Sequence, residues 1–222
     1  MTVRTKSESL FEKICTNRDV LWERVPEADE RTPDYEIKIG ESAVTVEVKQ
    51  LDPNELDLAM IARRERGDSP SIVSPRARVR TKIADSISQF KRASARHAPC
   101  MLCLYDNTQN FQILDWFAII GAMYGDFAIG LDLNEDDQGW HKAAQGYFGD
   151  RKLTRNKCTR ISAIAALDAM RSRTGTVTVY HNVFAANPIA PEALRSFADR
   201  QFIHDAPHTG NFVTMQPREI TL

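Results

Sequence analysis

The sequence is short of several features, and each shortage excludes something. No apolar run follows the basic residues of the opening stretch MTVRTKSESLFEKIC, which argues against a signal peptide. No segment reads as a membrane span: the most apolar region, residues 111–131, is broken by Asp115 and Asp126. Cysteine is scarce, and Cys15, Cys100, Cys103 and Cys158 have no disulfide-framework spacing. With no export signal they are expected as reduced thiols in a cytoplasmic protein. Neither a Walker loop nor a G-x-G-x-x-G is present, and no internal repeat is visible.

Net charge is also nearly absent, at −1. The balance hides blocks. Residues 63–96 carry ten Lys and Arg against three acids. Residues 105–141 carry none against seven acids, and residues 142–173 carry eight against two. Basic blocks of this kind fit a polyanion, and a solvated helix face gives the same count.

What is there reads as alternating helices and strands over 222 residues, enough for one domain with a substantial core. Leu10, Phe11, Ile14 and Cys15 have helical spacing over residues 7–16, with Ser7 or Ser9 as a cap. A short strand is expected over 19–25 and an acidic loop over 27–31. Tyr35, Ile37 and Ile39, then a Gly40 turn, then Val44, Val46 and Val48, predict a β-hairpin. A short helix follows at 55–66, a loop rich in Gly, Pro and Ser at 67–75, and a long basic helix at 76–97. Residues 100–105 read as a buried strand, 113–124 as a buried helix ending at Gly125, and 127–133 as a strand. Residues 161–170 fit helix or strand. Residues 176–180 predict a strand and 191–202 a helix with Pro191 in its first turn. The expected class is α/β (α+β layered), a central mixed β-sheet flanked by helices. The chain is expected to be one domain, 1–222, with 106–222 an extension of the same sheet or a small subdomain.

The hairpin carries the chemistry. Side chains alternate along a strand, so Glu47 and Lys49 share a face, opposite Val44, Val46 and Val48. Asp34 opens the partner strand and reaches that face if the register allows. Two carboxylates and an ammonium in one place suit a hard divalent cation that binds few carboxylates together with water and phosphate oxygens. The plainer alternative is a charged hairpin edge facing water.

Pro33-Asp34, twelve residues, then Glu47-Val48-Lys49 resembles the motif of the PD-(D/E)XK, or restriction-endonuclease-like, nuclease superfamily. The helix before it, and the basic helix and apolar strand after it, resemble that family's α-β-β-β-α-β core over residues 7–105. The resemblance implies Asp34 and Glu47 as ligands of Mg²⁺ or Mn²⁺, Lys49 as the catalytic lysine and Gln50 at the edge of the site. It also implies an assisting acid on the first helix. Glu8 lies about 60° from Phe11 on the helical wheel and Glu12 about 100°, which ranks Glu8 first. Gln89 and Lys91 are candidates on the later helix, although the Gln-x-x-x-Tyr arrangement of one branch is absent.

The function so implied is metal-dependent hydrolysis of phosphodiester bonds in DNA. The alternative is an inactive module of the same fold that binds DNA or a protein. Candidate backbone contacts are Arg76, Arg78, Arg80, Lys82, Lys91, Arg92, Arg151, Lys152 and Arg155. Trp140, Tyr147 and Phe148 interleave with cations in the last basic block and suit either base stacking or a small satellite core. A homodimer is left open; no membrane partner is expected. Cys100-x-x-Cys103 reads as buried core cysteine, because the two point to opposite faces of a strand, and its spacing does not match the family's four-cysteine cluster. His181-Asn182 reads as turn chemistry rather than catalysis.

Overall fold

Alternation along residues 35–39 buries Tyr35, Ile37 and Ile39 and exposes Glu36 and Lys38, which is the pattern of a sheet with one covered face. The computed structural model describes residues 4–26, 32–40, 42–68, 76–91, 97–108, 114–134, 139–169, 174–203 and 218–219. In these, α1 (Lys6–Asn17) leads to β1 (Leu21–Arg24), β2 (Tyr35–Ile39) and β3 (Ser42–Leu51). Next come α2 (Glu55–Glu65), α3 (Arg76–Ser86), β4 (Cys100–Asp106) and α4 (Trp116–Tyr124). The rest comprises β5 (Asp126–Asn134), β6 (Gly139–Phe148), β7 (Ala163–Asp168), β8 (Thr176–His181), a 3₁₀ turn (Pro191–Leu194), β9 (Arg200–Ile203) and β10 (Arg218–Glu219).

Eight strands form one sheet in the order β1-β2-β3-β4-β7-β8-β9-β10, and β5 and β6 form a separate two-stranded ribbon. The sheet is mixed: β3, β4 and β7 run parallel, β2 pairs antiparallel with both β1 and β3, and β8 reverses against β7. The class is therefore α/β, with a mixed sheet between helices. Four strands from residues 106–222 continue the sheet begun by residues 7–105.

Side-chain parity separates the two faces. Val44, Val46 and Val48 on β3, with Met101 and Cys103 on β4, pack under Phe11 and Ile14 of α1. Cys100, Leu102 and Leu104 face the other way, against Val79 and Ile83 of α3 and Ile119 and Met123 of α4. Cys100 and Cys103 thus lie in different cores, and both are free thiols.

Several boundaries differ from expectation. Thr5, not Ser7 or Ser9, caps α1, in a reciprocal capping box with Glu8. The basic helix ends at Ser86: the Ser86 hydroxyl donates back to Ile83 O (2.9 Å), and the chain continues through three-residue turns. Residues 161–170, which read either way, give strand β7, because the segment is paired on both sides by β4 and β8. The helix expected over 191–202 is replaced by a single 3₁₀ turn and β9. There Arg18 draws on Phe197 O (2.6 Å) and the Asp199 carboxylate (2.7 Å), and Asp199 accepts from Val177 N (2.7 Å). Those long-range bonds outweigh a weak helical preference. The acidic loop at 27–31 and most of the loop at 67–75 lie outside the described residues.

Candidate active site on strand β3

Register decides whether Asp34 meets Glu47. Tyr35 pairs with Val46, and Asp34 N donates to Val46 O (3.1 Å), so Asp34 stands one step further, opposite Glu47. The two carboxylates emerge on the face opposite Tyr35 and Val46. Strand β2 begins here while β3 runs on to Leu51, leaving residues 48–51 of β3 without a β2 partner, a step beside β2 that is called the notch below. The free N–H of Val48 is taken by the Asp34 carboxylate (2.8 Å), which fixes that side chain in the notch.

Glu47 is 1 % exposed. One carboxylate oxygen accepts from Lys49 Nζ in a close ion pair, and the other, Oε2, is buried without a hydrogen-bond partner. Burial pushes the Glu47 carboxyl up to about 7; the Asp34 charge adds to the shift and Lys49 opposes it. Burial also raises Asp34, against the Val48 hydrogen bond and the Lys49 charge. Glu47 therefore holds a proton well above the ordinary carboxylate range unless a cation is present. A lone-pair site buried with nothing to satisfy it, beside a second carboxylate, fits the donor set of a divalent cation. Among the described residues no group of three or more His, Cys, Asp or Glu is placed to hold a metal ion. A divalent cation held by two carboxylates such as Asp34 and Glu47 would draw its other ligands from water and substrate oxygens.

Glu8 stands near enough for its charge to act on Asp34, but its carboxylate is committed. One oxygen accepts from Thr5 N (2.7 Å) and Thr5 Oγ1 (2.8 Å), the other from Arg24 Nη2 (2.6 Å). Glu12 points elsewhere, to the Tyr35 hydroxyl (2.9 Å) and Arg4 (3.2 Å). Gln50 turns to the α1 side: its Oε1 accepts from Ser7 N (3.1 Å) and its Nε2 donates to Asp52 (2.5 Å), tying the start of α1 to the end of β3. Arg24 and Thr5 escaped the sequence reading. Arg24 becomes visible only once β1 is paired to β2, opposite Tyr35.

The arginine row has partners within the protein. Arg76 (2.5 Å) and Arg80 (2.9 Å) share the Asp126 carboxylate, and Arg80 also donates to Gly121 O. Arg78 bridges Asp57 (2.6 Å) and the backbone carbonyl of Asp52. These three side chains clamp α3 to α2 and to the α4–β5 junction. Lys82 is half-buried and Lys91 exposed. Gln89 accepts from Ser88 (3.2 Å), and no described contact joins Gln89 or Lys91 to the notch. Lys152 pairs with Asp150 (3.0 Å), while Arg151 and Arg155 are exposed on the loop after β6. Arg92 and the side chains of Trp140, Lys142, Tyr147 and Phe148 lie outside the described residues.

His181 is buried against Gln201 (2.8 Å) and Asn182 closes the turn through Ile161 O and Phe184 N, as expected of a structural pair. Comparison of the chain with protein-family models, with curated proteins and with solved structures finds no match.

Proposed function

We propose that this chain is a Mg²⁺- or Mn²⁺-dependent nuclease that hydrolyses phosphodiester bonds in DNA. The observation that carries the reading is the buried, unpartnered Oε2 of Glu47 beside Asp34 and Lys49 in one notch. The resemblance of Pro33-Asp34 and Glu47-Val48-Lys49 to the restriction-endonuclease-like motif supports it, as does the element order α1-β1-β2-β3 followed by helix and β4.

A divalent cation held by Asp34 and Glu47 would polarise a phosphoryl oxygen and acidify a bound water. The residues supply the rest. The Val48 N–H holds the Asp34 carboxylate in place, so no side-chain ordering is needed when substrate arrives. Lys49, a quarter exposed, has ammonium donors within reach of the Glu47 carboxylate and of charge developing on a phosphate placed there. Glu8 acts through Arg24 and the α1 cap, as a positioning residue. Of the candidate backbone contacts, Lys91 and Arg155 are the exposed cations with no described ion pair.

The test is cleavage of plasmid DNA with Mg²⁺ or Mn²⁺, alongside Mn²⁺ calorimetry. Glu47→Gln and Asp34→Asn are expected to abolish both cleavage and Mn²⁺ binding while circular dichroism stays unchanged. Cleavage that persists in both variants would overturn the assignment. Mn²⁺ binding without cleavage of any DNA would leave the inactive binding module instead.

A further inference from the structure

Helix α2 buries a single residue, Met60. Its position is nevertheless fixed. Asn54 and Asp57 close a reciprocal capping box at its start, and the Asp57 carboxylate also takes Arg78 of α3 (2.6 Å). Asp57 and Ile61 are half-buried beside Met60, so one side of the helix lies on the protein. At 100° per residue the other side carries Leu58, Glu55, Arg66, Ala59, Arg63 and Leu56, all exposed, over an arc of about 160°.

A surface helix ordinarily turns polar residues outward, yet Leu56 and Leu58 are 50 % and 55 % exposed. The charges on this outward face are sorted by sign. Glu55 stands at its start, and Arg63 and Arg66 stand at its end. That placement suits the helix's own dipole, and it also makes the face complementary to itself when a second α2 runs the opposite way. Among the described residues Glu55 and Arg66 form no ion pair, and Arg63 has only Asp68, at 3.8 Å. A nucleic acid would match the arginines but neither Glu55 nor the leucines. A second copy of the chain matches all three.

We infer that α2 is a homodimer interface, packed antiparallel against α2 of a second copy across a two-fold axis. With the axis between Met60 and Ile61, Glu55 of each copy faces Arg66 of the other. On one flank Leu56 meets the aliphatic stem of the other copy's Arg63, and on the other flank Leu58 comes beside Ala62. The helix is about 16 Å long, so the pair buries less than the roughly 1,000 Å² of a tight interface, and the dimer is a weak one. The inference is independent of the metal site on β3.

The experiment is sedimentation velocity on the full chain without metal or DNA, from low to high micromolar concentration. A monomer–dimer equilibrium is expected, shifted toward monomer by salt. Glu55→Arg and Arg66→Glu, each alone, should weaken the dimer about tenfold, since each sets like charges against each other at both symmetry-related contacts. An equimolar mixture of the two variants should restore association, because in the mixed dimer one contact is native and the other has its charges exchanged. Leu56→Ser together with Leu58→Ser should leave a monomer with unchanged circular dichroism. Arg63→Glu serves if Arg66→Glu loses helix by that measure. The inference is overturned if the chain stays monomeric at every concentration, if a dimer survives the double leucine variant, or if mixing the charge variants restores nothing. A monomer whose Arg66→Glu variant loses DNA affinity would overturn it in favour of a nucleic-acid contact.

Discussion

Lys49 and Glu47, two residues apart on β3, close an ion pair on the face that Val46 and Val48 turn away from, and only one oxygen of Glu47 is used. That pair stabilises the Glu47 carboxylate in its buried place and leaves Oε2 for the cation proposed above.

Removing Lys49 leaves an uncompensated charge in a nearly closed place. Lys49→Ala is expected to cost up to roughly 3 kcal/mol at pH 8, the low end for buried pairs because Lys49 is partly exposed. The double variant Glu47→Gln, Lys49→Met should recover most of it. Urea unfolding of the three proteins measures this; equal stability of Lys49→Ala and the parent would show that the pair is not buried in solution.

Glu47 gives stability a pH dependence of known sign. Its folded carboxyl titrates near 7 against an unfolded value of 4.5, so between those values the folded state holds the extra proton. Stability contributed by Glu47 is present below pH 4.5 and is lost as pH rises toward 7. Glu47→Gln should flatten that slope in thermal melts from pH 5 to 7.5. In the same window Mn²⁺ should bind more tightly as pH rises and release protons, which calorimetry in buffers of different ionisation enthalpy would detect.

The arginines divide by role. Arg80→Ala should destabilise, since it removes one of the two guanidinium partners of Asp126 and a hydrogen bond to the Gly121 carbonyl, while leaving salt-dependent DNA binding nearly unchanged. Arg155→Ala should do the reverse: unchanged unfolding, and a shallower dependence of DNA affinity on salt by about one ion. Chemical denaturation and a salt titration of DNA binding give the two readouts.

Thiol reactivity checks the two-faced core. Burial pushes Cys15 and Cys100 up to about 12 and Cys103 well above the ordinary range, whereas Cys158 is only half-buried. A thiol reagent at pH 8 should label Cys158 first, and the other three only after unfolding. Fast labelling of Cys103 in the folded protein would contradict the placement of β4 between two cores.

Much of this was legible beforehand. Valines at alternate positions on β3 announce a strand with one buried face, and the same alternation puts Glu47 and Lys49 together on the other. The spacing of Leu10, Phe11 and Ile14 announces α1, and the residue types at 34, 47 and 49 raise the expectation of hard-cation chemistry, which the proposed function carries forward. These signals are local, carried by periods of two and 3.6 residues, and need no knowledge of the rest of the chain.

Tertiary structure alone decided that Asp34 stands opposite Glu47, because pairing register depends on where β2 starts. It alone gave Glu8 to Arg24, and it gave Arg76, Arg78 and Arg80 the internal carboxylate partners Asp126 and Asp57. It also made residues 163–168 a central strand and 200–203 a strand, where composition allowed or favoured helix. Each of these outcomes rests on partners more than ten residues away in the chain. Hydrogen bonds and charges satisfied at that distance outweigh local preferences of a few tenths of a kcal/mol per residue.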